Sequence, residues 1–80
     1  QAPTKPVITN INKKKGVIAG TTSKNVTVYA NIGTTTYSAK SDKNGKFKIK
    51  TQKIKNGTQI RIYAKNKYKQ KSKVNTVVVY

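Results

Sequence analysis

Asn44-Gly45-Lys46-Phe47-Lys48-Ile49-Lys50 decides how this chain is read. Phe47 and Ile49 alternate with Lys46, Lys48 and Lys50, so a strand's period of two turns both apolar side chains to one face and the ammonium groups to the other. Asn44-Gly45 just upstream is a strong hairpin signal, because a type I′ turn needs positive φ at both central residues. A half-buried strand leaving a tight turn is the expected unit.

The flanking sequence repeats that unit. In residues 25–32, Val26, Val28, Ala30 and Ile32 share one face while Thr27, Tyr29 and Asn31 share the other. Gly33 breaks this run, and residues 34–40 return with Thr35, Tyr37 and Ala39 on one side. Further upstream, residues 7–11 and 16–21 read as two short strands. Downstream, a second turn signal at Asn56-Gly57 precedes residues 58–65, where Ile60, Ile62 and Ala64 point inward and Arg61, Tyr63 and Lys65 outward. The last strand, residues 74–80, carries apolar side chains on both faces, which leaves its inner face open. No run has a 3.6-residue apolar period, and β-branched residues dominate. The pattern predicts an all-β fold, a sandwich or a barrel of short strands.

A chain of 80 residues holds one domain. Pro3 and Pro6 among polar residues give residues 1–6 the composition of a linker, leaving 7–80 as a single domain, and Gln1 in place of an initiator Met suggests a piece of a longer protein. Cys, Met, Trp and His are all absent, which removes disulfides, thiolate nucleophiles, imidazole bases and the usual zinc and haem ligands. No apolar run approaches the roughly 20 residues needed to span a bilayer.

Charge is the extreme feature. Eighteen Lys and Arg face the single Asp42, a formal +17. Such a surface attracts polyanions and repels itself. Low hydrophobicity with high net charge also describes disordered tails, but these rarely keep clean alternations separated by Asn-Gly turns.

Val17-Ile18-Ala19-Gly20-Thr21-Thr22, continuing to Val26-Thr27-Val28-Tyr29, resembles the opening of bacterial Ig-like repeats. Tyr37-Ser38-Ala39-Lys40-Ser41-Asp42-Lys43-Asn44-Gly45-Lys46-Phe47 is similar to that family's Y-x-A-x-(A/S)-D-x-x-G-x-F hairpin. Gly57-Thr58, Ile60, Tyr63-Ala64-Lys65 and Lys71-Ser72-Lys73 through Val79 match its closing segment. The chain departs from the pattern at Asn66-Lys67-Tyr68-Lys69-Gln70, where the family tends to carry Asp and Gly-Asn. The resemblance implies an all-β, Ig-like two-sheet antiparallel sandwich of about seven strands in a secreted or surface-attached protein of Gram-positive bacteria, with a spacer, adhesion or wall-association role.

General acid and base chemistry requires two positioned titratable groups, and one Asp with no Glu or His does not supply them. None of Ser23, Ser38, Ser41 or Ser72 stands at S-x-x-K spacing. Asp42-Lys43-Asn44-Gly45 resembles the start of a calcium loop but lacks the further acidic ligands, so a hairpin turn is the expected role. The sequence therefore predicts no enzyme, no metal and no cofactor.

Two surfaces are candidate polyanion contacts. If the third strand pairs with the sixth, Tyr29 and Tyr63 lie side by side near Arg61 and Lys65, either stacking on a ligand or stiffening the sheet as a cross-strand pair. Lys46, Lys48 and Lys50 form a row with about 7 Å between neighbours, which either binds phosphates or protects a sheet edge. Lys67 and Lys69 add charge beyond Lys65. The expected partner is an anionic cell-wall polymer or another polyanion, with DNA, bound through phosphates alone, as the alternative.

Overall fold

The computed structural model describes residues 2–79; Gln1 and Tyr80, which the sequence reading placed in the linker and the last strand, lie outside them. Seven strands follow in order: β1 (Val7–Asn12), β2 (Val17–Thr21), β3 (Thr27–Ile32), β4 (Thr35–Lys40), β5 (Lys46–Lys50), β6 (Gln59–Lys65) and β7 (Asn75–Val78). They form a three-stranded sheet, β1-β2-β5, and a four-stranded sheet, β4-β3-β6-β7, with every pairing antiparallel. This is the two-sheet sandwich that the resemblance implies, and it decides between the sandwich and the barrel that the alternation left open.

The inner faces meet over an aliphatic core. Ile18, Ile49, Val28, Ile60 and Ile62 are fully buried, and Phe47 is the core's one buried aromatic among the described residues. Burying each such side chain contributes about 1.5–3 kcal/mol, which offsets chain entropy and cationic self-repulsion. Tyr37 and Ala39 of β4 pack against this core from the sheet edge. Thr35, expected on their side, is exposed.

Asn44-Gly45 corrects the sequence reading. The turn closes locally, with Asp42 N donating to Lys46 O (2.8 Å) and Gly45 N to Asp42 O (3.0 Å). Only Gly45 has positive φ (79°), so the geometry is not type I′. The strands it joins also part company: β4 lies in one sheet and β5 in the other, so the turn is a corner between layers. The reason is the choice of partners. β5 pairs with β2 and β4 with β3, so Tyr37 and Ala39 of β4 and Phe47 and Ile49 of β5 reach the one interior from opposite layers.

β7 resolves the open question of the last strand. Asn75 and Val77 are half-buried and Val79 is buried, whereas Val74 and Val78 face solvent. Asn75 Nδ2 donates to Pro6 O (3.0 Å), tying β7 to the segment before β1. That segment, expected as a linker, lies against the sandwich: Pro3 and Pro6 are buried, Thr4 N donates to Ser23 Oγ (2.8 Å), and Thr22 Oγ1 donates to Thr4 O (2.7 Å).

Two buried serines close the ladders where pairing ends. Val26 N donates to Ser41 Oγ (2.9 Å), and Ala64 N to Ser72 Oγ (2.8 Å). Each hydroxyl supplies the acceptor that the neighbouring strand no longer offers, as buried N–H groups require. Among the described residues no buried side-chain polar atom lacks a partner.

Candidate functional site

Alternation along β4, β3 and β6 places Thr36, Ser38 and Lys40, Thr27, Tyr29 and Asn31, and Arg61, Tyr63 and Lys65 on the outer face of the four-stranded sheet. The β3–β6 register then sets Thr27 opposite Lys65, Tyr29 opposite Tyr63, and Asn31 opposite Arg61. The Tyr29–Tyr63 pair is the one expected if the third strand met the sixth, with Arg61 and Lys65 close by. Lys40 lies opposite Thr27 on the other side, and Lys71 bridges to Lys65. One end of this face therefore carries Lys40, Lys65 and Lys71 across its width.

The tyrosines stack on each other, with ring centroids 5.2 Å apart and planes inclined by 23°. Lys71 Nζ stands over the Tyr63 ring, 5.6 Å from its centroid, reaching in from the side of β6 opposite β3. The Tyr63 ring is thus engaged twice within the protein, by Tyr29 and by an ammonium in a cation–π contact. This geometry favours the stiffening role over a flat platform for a sugar or base.

Beyond the tyrosines, towards the β3–β4 hairpin, a shallow open concavity of about 670 Å³ is lined by Asn31, Gly33, Thr34, Thr36, Gln59 and Arg61 among others. Thr36 Oγ1 donates to Asn31 Oδ1 (2.8 Å) across its floor. Among the described residues, Arg61 is the one cation lining it.

At the opposite end, Lys67 and Lys69 ride on a turn organised by Asn66. Its Oδ1 accepts from Tyr68 N (2.9 Å) and Gln70 N (3.1 Å), and its N donates to Gln70 O (3.1 Å). Lys69 holds positive φ (65°), and Lys67 Nζ lies 5.1 Å from the centroid of the exposed Tyr68 ring. Lys67, Lys69 and Lys65 therefore belong to the same end of one sheet.

Lys46, Lys48 and Lys50 occupy a different surface. β5 is an edge strand of the three-stranded sheet, where Phe47 and Ile49 are buried and the three lysines exposed. They stand beside Thr21, Ala19 and Val17 of β2, a neutral neighbourhood. The sequence-derived cations are thus divided between the two outer faces. Lys40 escaped that reading although its alternation with Thr36 and Ser38 marks it as outward. Lys71 carried no signal, since its bridge to Lys65 lies outside any strand.

The Asp42 carboxylate is committed to the corner turn. Oδ1 accepts from Asn44 N (2.8 Å) and Lys46 N (2.9 Å). The Lys46 N–H first, then that of Asn44, holds its pKa below the ordinary 3.8. No group of three or more His, Cys, Asp or Glu that could hold a metal ion occurs among the described residues. No helix there is long and apolar enough to cross a membrane.

A family model described as Bacterial Ig domain matches residues 2–80. No curated protein matches the chain.

Proposed function

The chain belongs to the bacterial Ig domain family, and we propose that it is a non-catalytic module of a secreted or surface protein that associates with an anionic cell-wall polymer by distributed electrostatics. Domains of this family commonly occur in secreted and surface proteins. The observation that carries the reading is the state of the charges: eighteen Lys and Arg against one carboxylate, and that carboxylate spent on backbone N–H groups. Almost no cationic charge is neutralised within the protein, so the field it projects is available to an external polyanion.

The test is retention on purified walls. Intact walls hold the domain at low salt and release it as salt rises, because each neutralised phosphate frees condensed counterions. Walls stripped of teichoic acid do not hold it. Equal retention on both removes the wall polymer as partner and moves DNA phosphates ahead.

A spacer role is a second reading with its own support. The sandwich measures 35 × 22 × 16 Å. Thr4 lies beside Ser23 at the end where β3 begins, whereas Val79 pairs with Gly57 and Thr58 at the end where β6 begins. Since β3 and β6 are antiparallel, those are opposite ends of the sheet. Entry and exit at opposite ends would let such a domain add its length between neighbours.

A further inference from the structure

The turn between β1 and β2 (residues 13–16) and the connection between β5 and β6 (residues 51–58) cross at the end of the sandwich remote from Asp42. Gly16 O accepts from Thr51 N (2.6 Å) and Thr51 Oγ1 (3.0 Å), and Lys13 O accepts from Ile54 N (3.0 Å). A Cβ on Gly16 would lie 2.9 Å from Thr51 O and closer still to Gln52 O, so the crossing admits only glycine. Ile54, buried in the core, pins the connection from below. This crossing gathers Lys13, Lys14 and Lys15 from the turn with Lys53 and Lys55 from the connection, Lys50 ends β5 just before it, and Lys13 Nζ donates to Asn56 Oδ1 (2.6 Å).

We propose that this lysine-bearing end is a binding site for a flexible, phosphate-bearing linear polymer. The inference deepens the polyanion reading and rests on it. Asp42, the only carboxylate side chain, bonds to Lys46 N, and Lys50 stands four residues further along β5, roughly 13 Å away. That exceeds the Debye length of about 8 Å at physiological salt, so the protein itself does not compensate the cluster. A multivalent anion does. The cluster contains no Arg fork and no aromatic ring, only ammonium groups, which act as point charges and read charge density rather than the plane of a base or sugar. A phosphodiester chain that adapts its path to six cations matches that chemistry.

The experiment is an amide-shift titration of the isotope-labelled domain with short-chain inorganic polyphosphate, run beside a triple variant, Lys14→Gln, Lys15→Gln and Lys53→Gln. Expected are shifts concentrated at residues 13–16 and 51–56 and, in the triple variant, about tenfold weaker binding with a salt slope lower by about two, at roughly 0.7 for each phosphate no longer neutralised. All three side chains are exposed, so thermal unfolding stays at the parent's temperature. If the variant fails to fold, the parent's shift map decides alone. Shifts confined to residues 46–48 and 65–71, with the variant binding like the parent, overturn this site and leave the polyanion reading standing. A parent that does not bind polyphosphate overturns both.

Discussion

Asp42 and Asn66 hold two turns of the same geometry. Each Oδ1 accepts from the N–H groups two and four residues on, and each backbone N–H donates to the carbonyl four residues on. The residue three positions on has positive φ in both, Gly45 at 79° and Lys69 at 65°. Residues 66–70, where the chain departs from its family's pattern, thus rebuild with neutral and cationic side chains what Asp42 to Lys46 build with an acid and a glycine. The turn survives while the loop gains charge.

Asp42 should therefore tolerate replacement by Asn, which keeps the accepting oxygen as Asn66 does. Its folded pKa is below the unfolded value of 3.8, so its contribution to stability is complete above that pH and is lost as pH falls through the folded pKa. As the only Asp or Glu in the chain, it makes the acid limb of the stability curve shallow in the parent and flatter in Asp42→Asn. Urea melts between pH 2 and 7 measure this, the bounds being about those of carboxylate titration. An acid limb as steep in the variant as in the parent would contradict the assignment.

Lys69→Gly should stabilise the domain. A side chain in the left-handed region costs about 1–2 kcal/mol, and glycine's extra unfolded-state entropy returns about 0.5–1 of that. A net gain of up to about 1.5 kcal/mol in chemical denaturation is expected. Lys67→Gly, where φ is not positive, should give a loss.

Ser41→Ala should destabilise by about 1–3 kcal/mol, because it leaves the buried Val26 N–H without its acceptor. Ser41→Thr keeps the oxygen but adds a methyl at a buried site, and Ser41→Cys offers only a weak acceptor. A Ser41→Ala variant as stable as the parent would mean that water replaces the hydroxyl.

The tyrosine pair is separable into structure and binding by one cycle. Tyr29→Ala, Tyr63→Ala and the double variant should show a coupling of about 0.5–1.5 kcal/mol in stability. Polyanion affinity should change little in variants that remain folded. A loss of about 1–3 kcal/mol of binding, with the salt slope unchanged, would instead make the pair a stacking site.

The strands were legible because alternation is local: Val26 to Ile32 and Ile60 to Ala64 reveal their inner faces without any knowledge of partners. Sheet membership is not local. Asn44-Gly45 reads as a hairpin because a Gly with positive φ serves several kinds of turn, and the partners that separate β4 from β5, β3 and β2, are not marked locally. Ile54 was passed over for a similar reason: one apolar residue between Lys53 and Lys55 has no period, yet it is buried in the core where its connection bonds to Lys13 and Gly16. Pro3 and Pro6 look like linker residues by composition, but lacking an N–H they are also easily buried. Of the candidate surface, the Tyr29–Tyr63 pairing could be anticipated from strand order. Lys71 over the ring could not, because it arrives from an irregular segment.

The most direct test of the polyanion account is the salt dependence of binding to purified anionic wall polymer, compared between the parent and the variant Lys46→Gln, Lys48→Gln, Lys50→Gln. These side chains are exposed and face away from the core, so the variant should fold as the parent does. The account predicts a linear fall of log affinity with log salt between about 50 and 200 mM, and a slope reduced in the variant by somewhat under one unit for each phosphate it no longer neutralises. Binding by the parent that is absent at low salt, or indifferent to salt across that range, would contradict it.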